Sequence, residues 1–506
     1  MKKTATLALL GLALYACQTD RFTTVDTHPQ KPADIDGFIY KQLKTNGSFV
    51  WSAASDEMVW SALQQSDGVL SVGYKPNGQD ADLSAVIHTI DVRSKAWTEA
   101  RQTLLDLIFE QESRLNASLK RSDMEAAPEE KLPVMMVRVK NPETVRLLRR
   151  SPLVRYAEPV GYEPGQADRR AKTASSSGCG SNIADIPLSA PDDFASISPN
   201  AKSSWNHPAH GIRDAWAQST GAGLKLVVID TGLSPNQENL GSAFNQGSSS
   251  GRTIERLVTM PKAWPWSSPE TPNDGCGHGT AMAGVAVGPR GTDGAAAGVA
   301  YNASLISIRA AADVLIDEWR EVKGVSDAYV LAADRADVRV ISLSLGRITS
   351  SSQITDAIRY AYNKGKLMYC AGGTSFGWTG GWWGVIFPAW LNEVHAVTGI
   401  RDNLTQQCKA CHDGSKIDYV VVMEKVSNDR HPITLAMSGD APSTVGGSSV
   451  ATATTAGMAA LLWARNPGWS RQQVIDRLNA SSNYFPNRHP SFGWGRININ
   501  TALTAQ

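Results

Sequence analysis

Hydrophobic and polar positions follow different patterns in the two parts of the chain. In the first part, the charged segment "AWTEARQTLLDLIFEQESRL" at residues 96–115 repeats apolar positions at helical spacing and predicts an amphipathic helix. Apolar runs at residues 132–139 and 153–162 predict strands, with the helical pattern "NPETVRLLRR" at 141–150 between them. We therefore predict a small α+β domain over residues 34–163.

The second part alternates apolar, β-branched runs with helical patterns. Strands are predicted at "LKLVVID", "SLISIRA", "VRVISLSLG" and "KLMYCAGG", and a helix at "ITDAIRYAYNKG". This alternation predicts a parallel sheet with helices on both faces. The fold class predicted for residues 205–506 is therefore α/β, with a doubly wound parallel sheet.

Three segments of the chain have neither the helical nor the strand pattern of the two predicted domains. Residues 1–16 carry Lys2 and Lys3 before an apolar run that is too short to span a bilayer, which is typical of a signal peptide. Residues 17–33 are polar and predict a tether. Residues 164–204 are rich in Ser, Ala, Pro, Asp and Gly, and predict a linker.

The end of the apolar run resembles a bacterial lipobox. The motif is "LYAC", Leu14–Cys17, and a lipid on Cys17 would anchor the mature protein to a membrane of the cell envelope. The alternative is an ordinary cleaved signal, in which Cys17 is removed or incidental. Both interpretations predict export, and therefore an oxidising compartment such as the periplasm.

Composition narrows the choice of partners. The chain has 506 residues, 42% of them hydrophobic and 19% charged, which is enough for a sizeable core and more than one domain. A net charge of +1 indicates no nucleic-acid partner. We predict no cofactor and no metal site, although calcium sites are not readable from the sequence.

Candidate chemistry lies where the predicted elements begin or end. Asp230 ends a predicted strand, and functional groups in a parallel sheet lie at the carboxyl ends of strands. His278 lies between two glycines before a small-residue helix, a position that suits a general base. Ser448 and Ser449 precede the uncharged stretch 450–464, which predicts a buried helix with free amides at its N-terminus.

These residues and their order resemble those of the subtilisin-like serine proteases. The family's aspartate, histidine and serine motifs resemble "VVIDTG", "GHGTAMAG" and "GSSVATATTAG". In the family a glycine follows the nucleophile by eight residues, and Gly457 has Ser449 at that spacing. The resemblance implies a triad of Asp230, His278 and Ser449 in a serine endopeptidase that cleaves peptides or proteins through an acyl-enzyme intermediate.

The resemblance covers about 300 residues and implies further sites. Ser344, Leu345 and Gly346 match the strand that pairs with the substrate backbone. Residues 374–390 match the loop beside the primary pocket, and their aromatic side chains either favour apolar substrates or serve packing.

The first domain resembles the family's inhibitory propeptide, so the chain would be a zymogen whose own propeptide domain is a binding partner. An unrelated α+β interaction domain is the alternative. The zymogen interpretation predicts a cut within residues 163–180.

One departure concerns the oxyanion site. Where the family has an asparagine that donates to the oxyanion, this chain has Gly373. Loss of one such donor costs about 10²–10³-fold in turnover, a value obtained on a subtilisin. We expect the Ser449 amide to be the first donor and Thr374 to supply the second, and we expect Gly373→Asn to raise turnover or leave it unchanged. A catalytically impaired subtilase that binds peptides is the alternative.

Cysteines give the last expectations. Beyond Cys17 the chain has Cys179, Cys276, Cys370, Cys408 and Cys411. We expect a disulfide between Cys408 and Cys411, a buried free thiol at Cys370, and a second disulfide between Cys179 and Cys276. The motif "CKACH", Cys408–His412, also matches covalent haem attachment, which makes an electron carrier a further hypothesis.

Overall fold

The computed structural model describes residues 28–505 except residues 80, 166–178, 181, 186, 265 and 376–383. The predicted signal peptide, Cys17 and most of the tether lie outside the described residues. So do most of the predicted cleavage region and eight residues of the loop beside the primary pocket.

An α+β domain begins the described chain. Its helices are α1 (Pro32–Asn46), α2 (Asp56–Gln64), α3 (Lys95–Ser113) and α4 (Pro142–Arg150). Its strands are β1 (Val69–Tyr74), β2 (Glu125–Ala127), β3 (Val134–Arg138) and β4 (Val154–Pro159). They form an antiparallel sheet in the order β2-β3-β1-β4. The predicted helices α3 and α4 and strands β3 and β4 are confirmed.

Part of the segment predicted as a linker is a β-hairpin. Strands β5 (Phe194–Ile197) and β6 (Ala201–Ser204) pair in antiparallel orientation. The backbone of Lys202 bonds to both Ala295 and Ala297, at 2.9 Å each, so this hairpin packs on the second domain. The strands were not predicted because the segment is rich in Ser and Ala and has no apolar strand pattern. Its contacts with the second domain, which are distant in sequence, stabilise the hairpin.

An eight-stranded sheet forms the second domain, and all neighbouring strands in it are parallel. The strands are β7 (Lys225–Asp230), β8 (Ile254–Val258), β9 (Ser304–Arg309), β10 (Val338–Leu343), β11 (Leu367–Ala371), β12 (His395–Arg401), β13 (Ile417–Glu424) and β16 (Gly495–Arg496), in the order β16-β13-β12-β11-β10-β7-β9-β8. A two-stranded ribbon, β14 (Ile433–Leu435) and β15 (Pro442–Thr444), lies outside this sheet.

Helices cover both faces of the sheet, as predicted. They are α5 (Ile212–Ala215), α6 (His278–Val287), α7 (Trp319–Asp334), α8 (Ser352–Asn363), α9 (Gly447–Arg465), α10 (Arg471–Ala480) and α11 (Ile499–Thr504). Side chains alternate along β7, so that Val227 and Ile229 join one apolar core while Leu226 and Val228 join the other. The predicted α/β fold with a doubly wound parallel sheet is therefore confirmed.

Helix α9 is the buried helix predicted from its uncharged sequence. A Cβ on Gly457 would lie 2.7 Å from the Val299 Cβ, which is closer than packed atoms allow. Only glycine therefore lets α9 approach its neighbours at this position, as the sequence predicted.

The first domain docks on α7 and α8 through buried polar contacts. Ser71 donates to Gln353 at 2.9 Å, and Tyr156 donates to Asp356 at 3.0 Å. The segment after β4 ends in Glu163, which is fully buried and accepts from Arg347 at 2.9 Å. The first domain therefore contacts the chain directly after Gly346.

Among the described helices, none combines the length and apolar character that crossing a bilayer requires.

Candidate active site

Asp230 and His278 meet at the carboxyl edge of the sheet. Asp230 is the last residue of β7, and His278 is the first residue of α6. The His278 Nδ1 atom donates to the Asp230 Oδ1 atom at 2.8 Å. Because Nδ1 donates to the carboxylate, the neutral ring keeps Nε2 as its acceptor, which is the form a general base needs.

Asp274 fixes the turn that presents His278. Its buried carboxylate accepts from the amides of Cys276, Gly277 and Thr280 at 2.7–2.9 Å. It also accepts from the hydroxyl of Thr231, the residue after Asp230. One carboxylate therefore joins the end of β7 to the start of α6, which fixes the distance between Asp230 and His278.

The electrostatic environment favours a protonated His278. Burial disfavours the imidazolium, but the adjacent Asp230 carboxylate outweighs it, with smaller contributions from Asp274 and Asp313, so the pKa of His278 is raised above 6.5. Such an environment stabilises the imidazolium that forms when the ring accepts a proton.

Ser449 lies in the first turn of α9, in the same cleft as His278. The cleft has a volume of about 820 Å³, and both side chains line it. The Ser449 hydroxyl donates to the Ser344 carbonyl at 3.2 Å, and the Ser344 hydroxyl donates to the Ser449 carbonyl at 3.0 Å. Ser448, in contrast, is almost completely buried, and its hydroxyl accepts from the Gly373 amide. Residues 373–375 are called the oxyanion loop below. The structure therefore places Ser449, not Ser448, at the cleft surface.

Gly373 and Thr374 lie against the start of α9. The Gly373 amide donates to the Ser448 Oγ atom at 3.1 Å, and the Ser448 amide donates to the Thr374 Oγ1 atom at 2.9 Å. The two hydroxyls lie 3.0 Å apart. A Cβ on Gly447 would lie 2.8 Å from Thr374 Oγ1, so glycine there allows this close approach. The hydroxyl of Thr374 thus faces the turn that carries Ser449.

The absence of a side chain at Gly373 has a steric cause. Its φ is +131°, and a Cβ there would lie 2.5 Å from Nδ1 of His412. His412 is fixed by bonds from Nδ1 to the Gly384 carbonyl at 2.9 Å and from Nε2 to Ser375 at 2.8 Å. Burial lowers the pKa of His412 to about 4, so the ring is neutral near pH 7. The structure therefore predicts that a side chain at position 373 collides with His412, contrary to the expectation that Gly373→Asn raises turnover or leaves it unchanged.

The cysteine predictions are confirmed. Cys408 pairs with Cys411, Cys179 pairs with Cys276, and Cys370 is a buried free thiol. The Cys408–Cys411 turn braces the oxyanion loop, because Ser375 donates its amide to the carbonyl of Ala410 at 2.7 Å. The sulfur atoms of Cys408 and Cys411 form the disulfide and are buried, so in this state neither is available for a thioether bond to haem. The disulfide therefore argues against the haem hypothesis.

The predicted substrate-binding strand is occupied by the protein itself. The Gly346 amide donates to the Val314 carbonyl at 3.2 Å, and the Ile316 amide donates to the Gly346 carbonyl at 3.0 Å. The carbonyl of Ser344 accepts from Ser449. In this state the groups of Ser344 and Gly346 that could pair with a peptide already have partners.

The middle of the predicted linker lies in the cleft. The Cys179–Cys276 disulfide attaches it two residues before His278, and Gly180 and residues 182–185 line the cleft. Asn182 and Asp185 bond through their backbones to Met437 and Pro442 at 2.9 Å each. Part of the linker is therefore a wall of the cleft.

Comparison with known proteins agrees with this geometry. The model of the subtilase family matches residues 221–495, more than half of the chain. The chain is a member of the subtilase family. It is a subtilisin-like serine protease, and its first domain lies outside the matched residues.

Individual relatives of this subtilase are distant. Thermitase from Thermoactinomyces vulgaris is 26% identical over 295 residues, which cover 57% of this chain and 91% of thermitase. Subtilisin E from Bacillus subtilis (strain 168) is 28% identical over 288 residues, which cover 57% of this chain and 67% of subtilisin E. A crystal structure of MycP1 with the N-terminal propeptide removed is 23% identical and has a TM-score of 0.48. It covers 60% of this chain and 97% of MycP1.

Three residues of the subtilase site were not predicted from sequence. Asp274 precedes His278 by four residues, and an acidic residue just before a helix is a signal for a cap that could have identified it. His412 and Ile386 had no such local signal, because their contacts with Gly373 and Gly346 join segments that are distant in sequence.

Among the described residues, no cluster of His, Cys, Asp and Glu could hold a metal ion.

Proposed function

We propose that this subtilase is an exported serine endopeptidase with Asp230, His278 and Ser449 as its catalytic triad. The observation that carries the proposal is the 2.8 Å bond from His278 to Asp230 in the cleft that Ser449 also lines. A carboxylate, an imidazole and a hydroxyl in this order can transfer one proton and form an acyl-enzyme.

The proposed reaction begins with rotation of the Ser449 hydroxyl. In the described state this hydroxyl donates to the Ser344 carbonyl, so it has to turn toward His278 when a substrate binds. His278 then takes the Ser449 proton as the oxygen attacks the scissile carbonyl, and later gives that proton to the leaving amine. Asp230 orients the ring and stabilises its protonated form.

The oxyanion would be bound by the Ser449 amide and the Thr374 hydroxyl. Ser448 Oγ accepts from the Gly373 amide, so the Ser448 proton is available for Thr374 Oγ1 at 3.0 Å. The Thr374 proton is then free to point into the cleft. This chain of donors would replace the side chain that Gly373 lacks, and its members polarise one another.

The first domain is proposed to act as an inhibitory propeptide, and Cys17 as the site of a lipid anchor on a bacterial membrane. The contact of Glu163 with Arg347 supports the first proposal, because it covers the chain that follows the substrate-binding strand. A cut within residues 163–180 would free the domain covalently while these contacts still hold it. Peptides or proteins are the proposed substrates.

A fluorophosphonate probe tests the triad. Purified protein is expected to become labelled on Ser449, and the Ser448→Ala variant as well, whereas Ser449→Ala is not. Protein that folds but takes no label would contradict the proposal and favour a peptide-binding subtilase without activity.

Two further experiments test the anchor and the cut. Radiolabelled palmitate incorporated into the wild-type chain but not into Cys17→Ser would support the anchor. N-terminal sequencing of the active protein locates the cut.

A further inference from the structure

A second, much smaller cavity also contacts Ser449. Its volume is about 20 Å³, and its walls include Gly346, Ala371, Ile386 and Ser449. This is roughly the space that one water molecule needs, and a methyl group is about as large. The cavity lies beside the substrate-binding strand, in the place where a side chain on the acyl side of the scissile bond would enter.

Ile386 is the residue that reduces this cavity. A Cβ placed on Gly346 would lie 2.4 Å from the Cδ1 atom of Ile386 and 3.1 Å from its Cγ1 atom. The end of the isoleucine side chain therefore lies directly over the glycine of the substrate-binding strand. Ile386 is 6% exposed, so packed atoms surround it on its other sides.

The backbone around Ile386 is fixed from two directions. The Ile386 amide donates to the Gly372 carbonyl at 3.0 Å, which attaches it to the end of β11. The next residue, Phe387, exchanges two hydrogen bonds with Arg347, at 2.9 and 3.0 Å. These bonds attach the segment to the chain after β10 and after β11, so a shift of the loop that moved the side chain out of the cavity would break them.

We infer that this subtilase selects substrates with glycine, alanine or serine immediately before the scissile bond, and that Ile386 sets this preference. The inference rests on the proposed function. A larger side chain would have to displace atoms of a packed wall, which is costly in a close-packed interior.

The test uses peptide nitroanilides that differ only in the residue before the scissile bond, which is alanine, leucine or phenylalanine. We expect the protein, expressed from the full-length chain and then self-processed, to have a kcat/KM at least about a hundredfold higher for alanine than for phenylalanine. Ile386→Gly and Ile386→Ala are expected to raise kcat/KM for leucine and phenylalanine at least about tenfold. The alanine substrate is expected to change by less than about threefold.

Val385→Ala is the matched control. Val385 is also buried and precedes Ile386, but it does not line the small cavity, so this variant should keep the wild-type preference. Labelling of Ser449 by a fluorophosphonate reports whether each variant is folded and competent. A wild-type preference for leucine or phenylalanine would overturn the inference, and so would an unchanged preference in labelled Ile386 variants. Absence of labelling in every variant would instead overturn the proposed function, and this inference with it.

Discussion

The two sides of the cleft differ in how closely they keep the residues of the family. On the side of the general base, Asp230 and His278 have the expected identities, and Asp274 joins their turns with five hydrogen bonds. On the oxyanion side, Gly373 stands in place of an asparagine, and hydroxyl groups of Ser448 and Thr374 fill the space around it.

The difference follows from what each side has to supply. Proton transfer needs one ring with the right tautomer and pKa, so few residue types are acceptable there. An oxyanion accepts from any well-aimed N–H or O–H, so the donors can be replaced when a neighbouring segment changes. Here the neighbouring segment is the Cys408–Cys411 turn, which brings His412 against Gly373.

The largest loss of kcat is expected at the nucleophile, Ser449, because the general base and the oxyanion donors both act on the reaction of its hydroxyl. Ser449→Ala should lower kcat by about 10⁶-fold, since the hydroxyl that attacks is gone. Ser448→Ala, the control, should lose no more than about tenfold, because it removes only a hydroxyl that orients Thr374 and not the attacking group. The measurement is hydrolysis of the alanine nitroanilide together with self-processing followed by mass spectrometry. Equal activity of Ser449→Ala and wild type would exclude the proposed mechanism.

On the base side, Asp230→Asn should lower kcat by about 10⁴-fold. The amide cannot hold Nδ1–H of His278 as the carboxylate does, and it does not stabilise the imidazolium. Folding should be preserved, because Asp274 still joins the two turns, and a thermal melt would verify this. A loss of less than about tenfold would show that the general base is another residue.

On the oxyanion side, Gly373→Asn should lower turnover. The residue has a left-handed φ and contacts His412, so the free energy of unfolding should fall by about 2–6 kcal/mol, from about 1–3 for strain and 1–3 for overpacking. The double variant Gly373→Asn with His412→Ala should recover part of both losses. Wild-type turnover in the single variant would show that the oxyanion loop can move away from His412.

Thr374→Val should lower kcat about tenfold, because one modest hydrogen bond of about 1.4 kcal/mol is lost in the transition state. Thr374→Ser, which keeps the hydroxyl, should stay near the wild type. If valine and serine behave alike, the side chain does not donate and only backbone amides bind the oxyanion.

The smallest effect is expected on pH dependence. His278 acts as a base only when neutral, so kcat/KM should rise with pH through its pKa, which Asp230, Asp274 and Asp313 hold above 6.5. Asp313→Asn removes the smallest of these contributions and should move the rise to lower pH without lowering the plateau. A shift to higher pH would contradict the assigned electrostatics.

Much of this architecture could be predicted because its signals are local. Strand β7 and helix α9 follow from short apolar patterns, and the resemblance to the subtilases, through the spacing of Gly457, implies Ser449 as the nucleophile. The contacts that define the oxyanion side join distant segments, such as Gly373 with His412 and Gly346 with Ile386. Local patterns carry no information on which side chain fills the space above a glycine, so these contacts became apparent only in three dimensions.

The pairing of Gly346 with Val314 and Ile316 has a consequence for selectivity among competing peptide chains. An exposed strand edge binds extended chains of any sequence, which in a protease would mean competition from every unfolded protein nearby. Because this edge is already paired, an incoming peptide exchanges hydrogen bonds instead of adding them, and each exchange contributes close to zero instead of about 1 kcal/mol. Binding would then depend on side chains, so abundant chains of unsuitable sequence would be poor competitors for the few suitable ones.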